Sequence, residues 1–301
     1  MSKDFSAGAA WMEGQILPVG EARIGVTDWG LTHSDCVYDV VPVWEGAFFR
    51  LPDYQERFEA SLAQARLSVG LDRAQMTNAL HDMVAASGLR RAYVAMVGAR
   101  GTPLQHGSRD PRACRNHFYA WCVPYVHVIA PEIAEAGVTV WLSDTVRRIP
   151  ADSVNPIVKN YHWGDFTAGL FEAKDRGFET VLLTDHAGGV TEGPGFNVFA
   201  LTGSTLVTPD KGVLHGITRR TAIEVARALG YDVEERALPV AEMMEADEIF
   251  LTTSGGGISP VIRIGDRVFG NGAPGPVACA LRSAYFERMN DASYRTDIKY
   301  T

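Results

Sequence analysis

The chain has 301 residues, 46% of them hydrophobic and 21% charged, with a formal net charge of -8. No dense Lys/Arg stripe offers a nucleic-acid footprint, and no apolar run nears the roughly 20 residues that a membrane-spanning helix needs. The first residues, MSKDFSAGAAWMEG, lack a basic segment followed by an apolar one, so the expected address is the cytoplasm. Four cysteines, Cys36, Cys114, Cys122 and Cys279, show neither CxxC pairing nor zinc-finger spacing with histidine. They are expected to be small buried hydrophobes in a reducing compartment, and no metal is expected.

Residues 10 to 50 alternate short strand-like pieces with turns, and the dipeptide Glu-Gly marks two of those turns. From Pro52, Phe58, Leu62 and Ala65 fall on one helical face, and DRAQMTNALHDMVAASG predicts a second helix closed by Gly88. Strands are expected near 91–99 and 117–126. The stretch PYVHVIAPEIAEAG has two prolines and little periodicity, which suits a connection. Beyond it, GVTVWLSD and FETVLLTD read as strands flanking a helix in WGDFTAGLFEAKDRG. TLVTPD, a helix in ITRRTAIEVARALG, a strand in DEIFLTT, a Gly-rich turn and a final helix from about 275 follow. The expected fold is mixed α/β: a small α+β domain over 1–127, a connection over 128–136, and a larger α/β domain over 137–301 that holds the ligand. No internal repeat or low-complexity tract interrupts this order.

The chain contains only five lysines, and their surroundings separate them. Lys3 and Lys299 are terminal, Lys174 lies in the charged cluster EAKDR, and Lys211 lies in the turn PDKG. Lys159 alone sits among apolar and aromatic neighbours, with Ile157 and Val158 before it and Tyr161 and Trp163 after it. Desolvation makes such an ammonium costly and favours the neutral amine that attacks a carbonyl. A lysine that snorkels from a strand end is equally compatible with these residues.

Other stretches offer partners for such chemistry. Gly216 opens the helix of HGITRR, and unpaired first-turn N–H groups with the Thr218 hydroxyl can seat a phosphate, although Thr218 can also be a simple cap. TTSGGG places Thr253 and Ser254 where backbone can approach a ligand, or it is only a tight turn. TEGPGFNVF sets Glu192 just ahead of a Gly-Pro-Gly turn, where a solvated carboxylate would also be at home. No Walker loop and no dinucleotide-type GxGxxG is present.

In that order and spacing, VKNYHWGD, TEGPGFNVF, HGITRR and TTSGGG resemble the branched-chain and D-amino-acid aminotransferase superfamily of fold type IV, which uses pyridoxal 5'-phosphate. LTHSDCVYDVVPVWEGAFFRLPDYQERFEAS and DTVRRIP are most similar to the (R)-selective amine transaminases within it. The resemblance implies a homodimer that moves an amino group from a primary amine to a keto acid such as pyruvate. Lys159 would join the cofactor as a Schiff base and carry the proton at the substrate carbon. Glu192 would keep the pyridine nitrogen protonated, and Arg57, Ile217, Thr218 and Thr253 would hold the phosphate. His33, Tyr38 and Val40 match pocket positions, and Trp163, Leu214, Ser254 and Gly255 would add walls.

Departures from the family pattern bear on specificity. Branched-chain relatives carry Tyr-x-Arg on a pocket strand for the substrate carboxylate, and the pair here is Tyr93 and Ala95. The resembling (R)-amine transaminases have Phe and Glu at these places. A mobile-loop arginine for the acceptor carboxylate aligns with His106, with Arg109 three residues on. Gly164 replaces the tyrosine that faces the cofactor ring oxygen, so that oxygen has no assigned partner. A D-amino-acid or branched-chain aminotransferase shares every cofactor residue. An aminodeoxychorismate-type lyase shares the lysine and glutamate, and a non-catalytic cofactor carrier remains a further alternative.

Overall fold

The computed structural model describes residues 4–300 and divides the chain into two units. The first comprises the residues up to Val126, the segment Val158–Tyr161 and the residues from Met289. The second comprises His127–Ile157 and His162–Arg288.

The first unit is built on a seven-stranded antiparallel sheet in the order Arg295–Asp297, Ala47–Phe49, Cys36–Trp44, Ala92–Pro103, Cys114–Pro124, Ala9–Met12 and Gln15–Pro18. Helix Leu51–Gln64 buries Leu51, Tyr54, Phe58, Ser61 and Leu62. That spacing marks one helical stripe. The sheet face it meets must be flat at Gly98, because a Cβ there would come within 2.4 Å of Leu62 Cδ2. Helix Arg73–Ser87 starts with a capping box between Asp72 and Gln75 and stops at Gly88, whose φ of 69° only glycine adopts cheaply.

The second unit has a nine-stranded mixed sheet. Its main path runs Asp232–Glu235, Thr205–Thr208, Phe196–Thr202, Glu248–Thr253, Gly257–Ile264, Val138–Arg147 and Thr180–Thr184. Arg267–Val268 pairs with Gly257–Ile264, and Glu192–Gly193 pairs with Phe196–Thr202. The last two junctions of the path are parallel, and helix Gly164–Asp175 packs on both strands that it connects. Val138, Val140, Leu182, Val198, Leu251 and Val261 form the buried centre.

Three boundaries differ from the expected ones. Residues 128–136 are part of the second unit: Val128 donates to Gly255 O at 2.8 Å, Pro131–Ala136 is helical, and Ile129 and Ala134 are core. Proline at the first helical position is tolerated because its missing N–H has no intrahelical partner there. The ends from Met289 and the segment Val158–Tyr161 join the first unit instead of the larger one. Of the cysteines, Cys36 and Cys122 are buried, whereas Cys114 is half-buried and Cys279 is exposed. Burial pushes the Cys36 thiol up to about 12, so it is inert.

Candidate active site

Side chains alternate along a strand, so one face of the first sheet carries Tyr38 and Val40 but not Asp39. The register sets Val40 opposite Ala95, Ala95 opposite Trp121, and Val97 opposite Tyr119. Tyr93, Tyr119, Trp121 and Tyr161 pack against the buried cluster of Cys36, Tyr38, Val40, Ala95, Val97 and Ala99. The result is an aromatic-walled face with small residues at its centre. Burial raises the Tyr93, Tyr119 and Tyr161 hydroxyls above the ordinary tyrosine range, so these groups stay neutral.

Lys159 is tied to this face through its backbone. Its N–H donates to Ser61 Oγ at 3.3 Å, its carbonyl accepts from Tyr38 N at 3.0 Å, and Asn160 bridges to Val37. Tyr161 stacks on Tyr38 with centroids 4.1 Å apart. The Lys159 Nζ lies 4.5 Å from the Tyr38 ring centroid, within cation–π range.

Arg57 projects from helix Leu51–Gln64 and pairs bidentately with the fully buried Asp39, Nε at 2.8 Å and Nη2 at 2.6 Å. Burial opposes the charge on this guanidinium, but Asp39 raises its pKa above the ordinary value by charge and hydrogen bonding. His33, His106 and Arg109 are exposed and stand outside the aromatic cluster. His33 ends the short helix Trp29–Thr32, its Nδ1 2.8 Å from Thr32 Oγ1.

In the second unit Glu192 is buried, and its two oxygens are held differently. Oε2 accepts from Leu214 N at 2.9 Å and from Asn197 Nδ2 at 3.4 Å. Oε1 accepts from Arg148 Nε and Nη2, both at 3.3 Å. Arg148 Nη1 reaches Asp165 at 2.6 Å. Leu214, expected as a pocket wall, therefore acts here through its backbone, since its carbonyl also accepts from Asn197 Nδ2 at 2.8 Å.

Helix Ile217–Ala228 begins at Gly216, which supplies no side-chain cap. Its buried Ile217 and Thr218 open the first turn, with Thr218 Oγ1 3.5 Å from Ser254 Oγ. Thr253 Oγ1 accepts from Gly255 N at 3.3 Å. Trp163 precedes helix Gly164–Asp175 and meets Phe166 edge-on, its centroid 5.5 Å away.

Sequence reasoning missed Asp39, Ser61, Arg148 and Asn197, which orient the expected residues. Period-2 alternation through VYDVV places Asp39 opposite in facing to Tyr38, but it names no partner. Nothing local links Arg148 to Glu192, 44 positions away.

These groups fit pyridoxal 5'-phosphate. Glu192, Arg148 and Asp165 bring two carboxylates to one guanidinium, a surplus of negative charge that a protonated pyridine nitrogen matches. A helix start without a side-chain cap, beside three hydroxyls, suits a phosphate.

Comparison with known proteins gives the same chemistry. The model of the family "Amino-transferase class IV" matches residues 36–264. A putative branched-chain-amino-acid aminotransferase of Methanocaldococcus jannaschii is 28% identical over 292 residues, 96% of this chain and 98% of that protein. The D-alanine aminotransferase of Bacillus licheniformis is 26% identical over 281 residues, 90% of this chain and 93% of that protein. The branched-chain amino acid aminotransferase of Thermobaculum terrenum, solved in its PLP-form, superposes with a TM-score of 0.84 at 26% identity. That superposition covers 97% of this chain and 98% of the other. With the family model matching most of its length, the chain belongs to the class IV aminotransferases, has their fold type IV architecture and uses pyridoxal 5'-phosphate.

Proposed function

We propose that this aminotransferase takes its nitrogen from a primary amine without a carboxylate, (R)-configured, and delivers it to a keto acid such as pyruvate. The observation that carries this reading is Ala95, 0% exposed on the aromatic face, at the place where the branched-chain enzymes that the chain resembles carry an arginine. The strand positions around it, Tyr38, Val40, Tyr93, Tyr119 and Trp121, supply no cation. With Lys159 taken up by the cofactor, a carboxylate buried there would cost several kcal/mol.

The bound cofactor supplies the aldehyde that receives the amine and the ring that accepts electrons from the substrate carbon. Lys159 would hold that aldehyde, and its amine would carry the proton at the substrate carbon. Glu192 keeps the ring nitrogen protonated. Arg57, Ile217, Thr218 and Thr253 hold the phosphate, and His33, His106, Trp163, Ser254 and Gly255 contribute to the substrate side. The protein acts as a homodimer, a reading supported by the exposed apolar side chains Val26, Leu31 and Leu104, near in sequence to His33 and His106.

The test is a half-reaction without acceptor, following loss of the visible cofactor band with (R)-1-phenylethylamine, its (S) form, D-alanine and L-leucine. The (R)-amine is expected to discharge the band fastest, and Lys159→Ala to abolish the reaction. Faster discharge by D-alanine or L-leucine overturns the amine reading. That outcome would favour the second reading, an amino-acid donor, which the branched-chain and D-alanine relatives support.

A further inference from the structure

We infer that Arg148 is a positioning residue for Glu192, anchored by Asp165 so that it orients the glutamate without neutralising it. Arg148 follows strand Val138–Arg147, and its backbone N–H donates to Thr184 O at 2.9 Å, so its origin is fixed by the neighbouring strand. Its guanidinium carbon lies 4.3 Å from the Phe166 ring centroid. Side-chain exposures of 8% for Arg148, 6% for Asp165 and 7% for Glu192 place all three charges in a weakly screened setting.

The distances divide the labour. Arg148 Nη1 to Asp165 Oδ2, at 2.6 Å, has the length of a strong charge-assisted bond. Asp165 is itself held by Ile149 N at 2.9 Å on Oδ2 and by Phe166 N at 2.8 Å on Oδ1. The two contacts with Glu192 Oε1, both 3.3 Å, are longer than such bonds usually are. The arginine is thus bound firmly to Asp165 and lightly to Glu192. It fixes one oxygen of the glutamate while Leu214 N and Asn197 fix the other, and Oε1 keeps most of its charge. A lysine cannot do the same, because three N–H groups in one rigid plane serve two carboxylates at once.

The inference rests on Glu192 serving the ring nitrogen, and a double-mutant cycle separates the two claims. Arg148→Met is combined with Asp165→Asn, so that no buried aspartate is left without its cation. The pair is made with Glu192 and with Glu192→Gln. Apoprotein is titrated with pyridoxal 5'-phosphate for its dissociation constant, and the pH midpoint of the visible band is read on each holoprotein. With Glu192 present, the paired change is expected to weaken cofactor binding about tenfold and to move the midpoint. With Gln at 192 it should change binding less than about twofold, the non-additivity of groups acting through one another. Equal changes in both backgrounds overturn the role of Arg148 alone. A Glu192→Gln protein whose affinity and spectrum match the wild type overturns the assignment of Glu192 and the inference with it. If the paired variant does not fold, Arg148→Lys keeps the buried charge, and the same cycle should show non-additivity of about two- to threefold, with additivity again refuting the role.

Discussion

The proposed amine specificity is tested most directly at Ala95. It sits between Val40 and Trp121 in neighbouring strands, fully buried, and Tyr93 two positions earlier stacks on Trp121 with centroids 5.7 Å apart. Ala95→Arg adds a cation on this face, so discrimination should swing towards donors with a carboxylate. We expect the ratio of kcat/KM for D-alanine or L-leucine over (R)-1-phenylethylamine to rise at least about tenfold, since a paired buried charge is worth more than about 1.4 kcal/mol. An unchanged ratio would remove Ala95 from the substrate side. Glu172 tests residue-level electrostatics away from the reaction. Burial alone would raise its pKa, but hydrogen bonds with Ser143 Oγ, with Asp144, with Trp141 Nε1 at 2.9 Å and with Thr145 Oγ1 at 2.8 Å outweigh it and hold the carboxyl down at about 2. A pKa lowered by folding gives stability that is full above the ordinary glutamate value and is lost as pH falls towards 2. Glu172→Gln should therefore cost about 1–3 kcal/mol at pH 7, and its urea midpoint should converge on that of the wild type as pH falls from 4.5 towards about 2, the range between the two pKa values.

Among the elements, helix Ile217–Ala228 shows how closely the second unit is fitted. A Cβ at Gly216 would lie 2.3 Å from Asn197 Oδ1, and Asn197 holds both Leu214 O and Glu192 Oε2. Gly216→Ala must push that asparagine aside, and crowding of this kind costs about 1–3 kcal/mol. The loss should appear as weaker cofactor binding by roughly tenfold in a titration of apoprotein, with the melting temperature falling less; unaltered affinity would separate this helix start from the phosphate. The helix itself was legible in the sequence because Ala222, Val225 and Ala226 recur at helical spacing behind a glycine, and Arg73–Ser87 was legible from its cap and its closing Gly88. Strand Gly257–Ile264 was not, since Gly257, the two glycines before it and Pro260 read as turn chemistry until Glu248–Thr253 provides the pairing that holds it. Arg295–Asp297 offers three polar residues and no alternation, and only the edge at Ala47–Phe49 makes it a strand. The same limit governs the site. Lys159 and Glu192 stand out by type and neighbours, but Arg57 with Asp39 and Arg148 with Glu192 are contacts between distant segments, which local pattern does not encode.

At the scale of the whole molecule, the chain passes between the units at 126/127, 157/158, 161/162 and 288/289, so no single cut separates them. The expected small domain of residues 1–127 therefore lacks two pieces that its sheet uses. Without the C-terminal residues, Ala47, Phe48 and Phe49 lose their pairings with Asp297, Thr296 and Arg295, and Arg50 N loses its 2.7 Å bond to Tyr294 O. That leaves an apolar edge open to pairing with other chains. Without Val158–Tyr161, Tyr38 loses both its backbone partner Lys159 O and the stacked ring of Tyr161. A fragment of residues 1–127 is accordingly expected to aggregate or to unfold without a cooperative transition in urea, followed by circular dichroism, whereas the full chain unfolds cooperatively. The segment that delivers Lys159 is then part of the fold that receives it. A fragment that melts as sharply as the full chain, at the same urea concentration, would show that the first sheet stands without the lysine's segment and would return the domain boundary to residue 127.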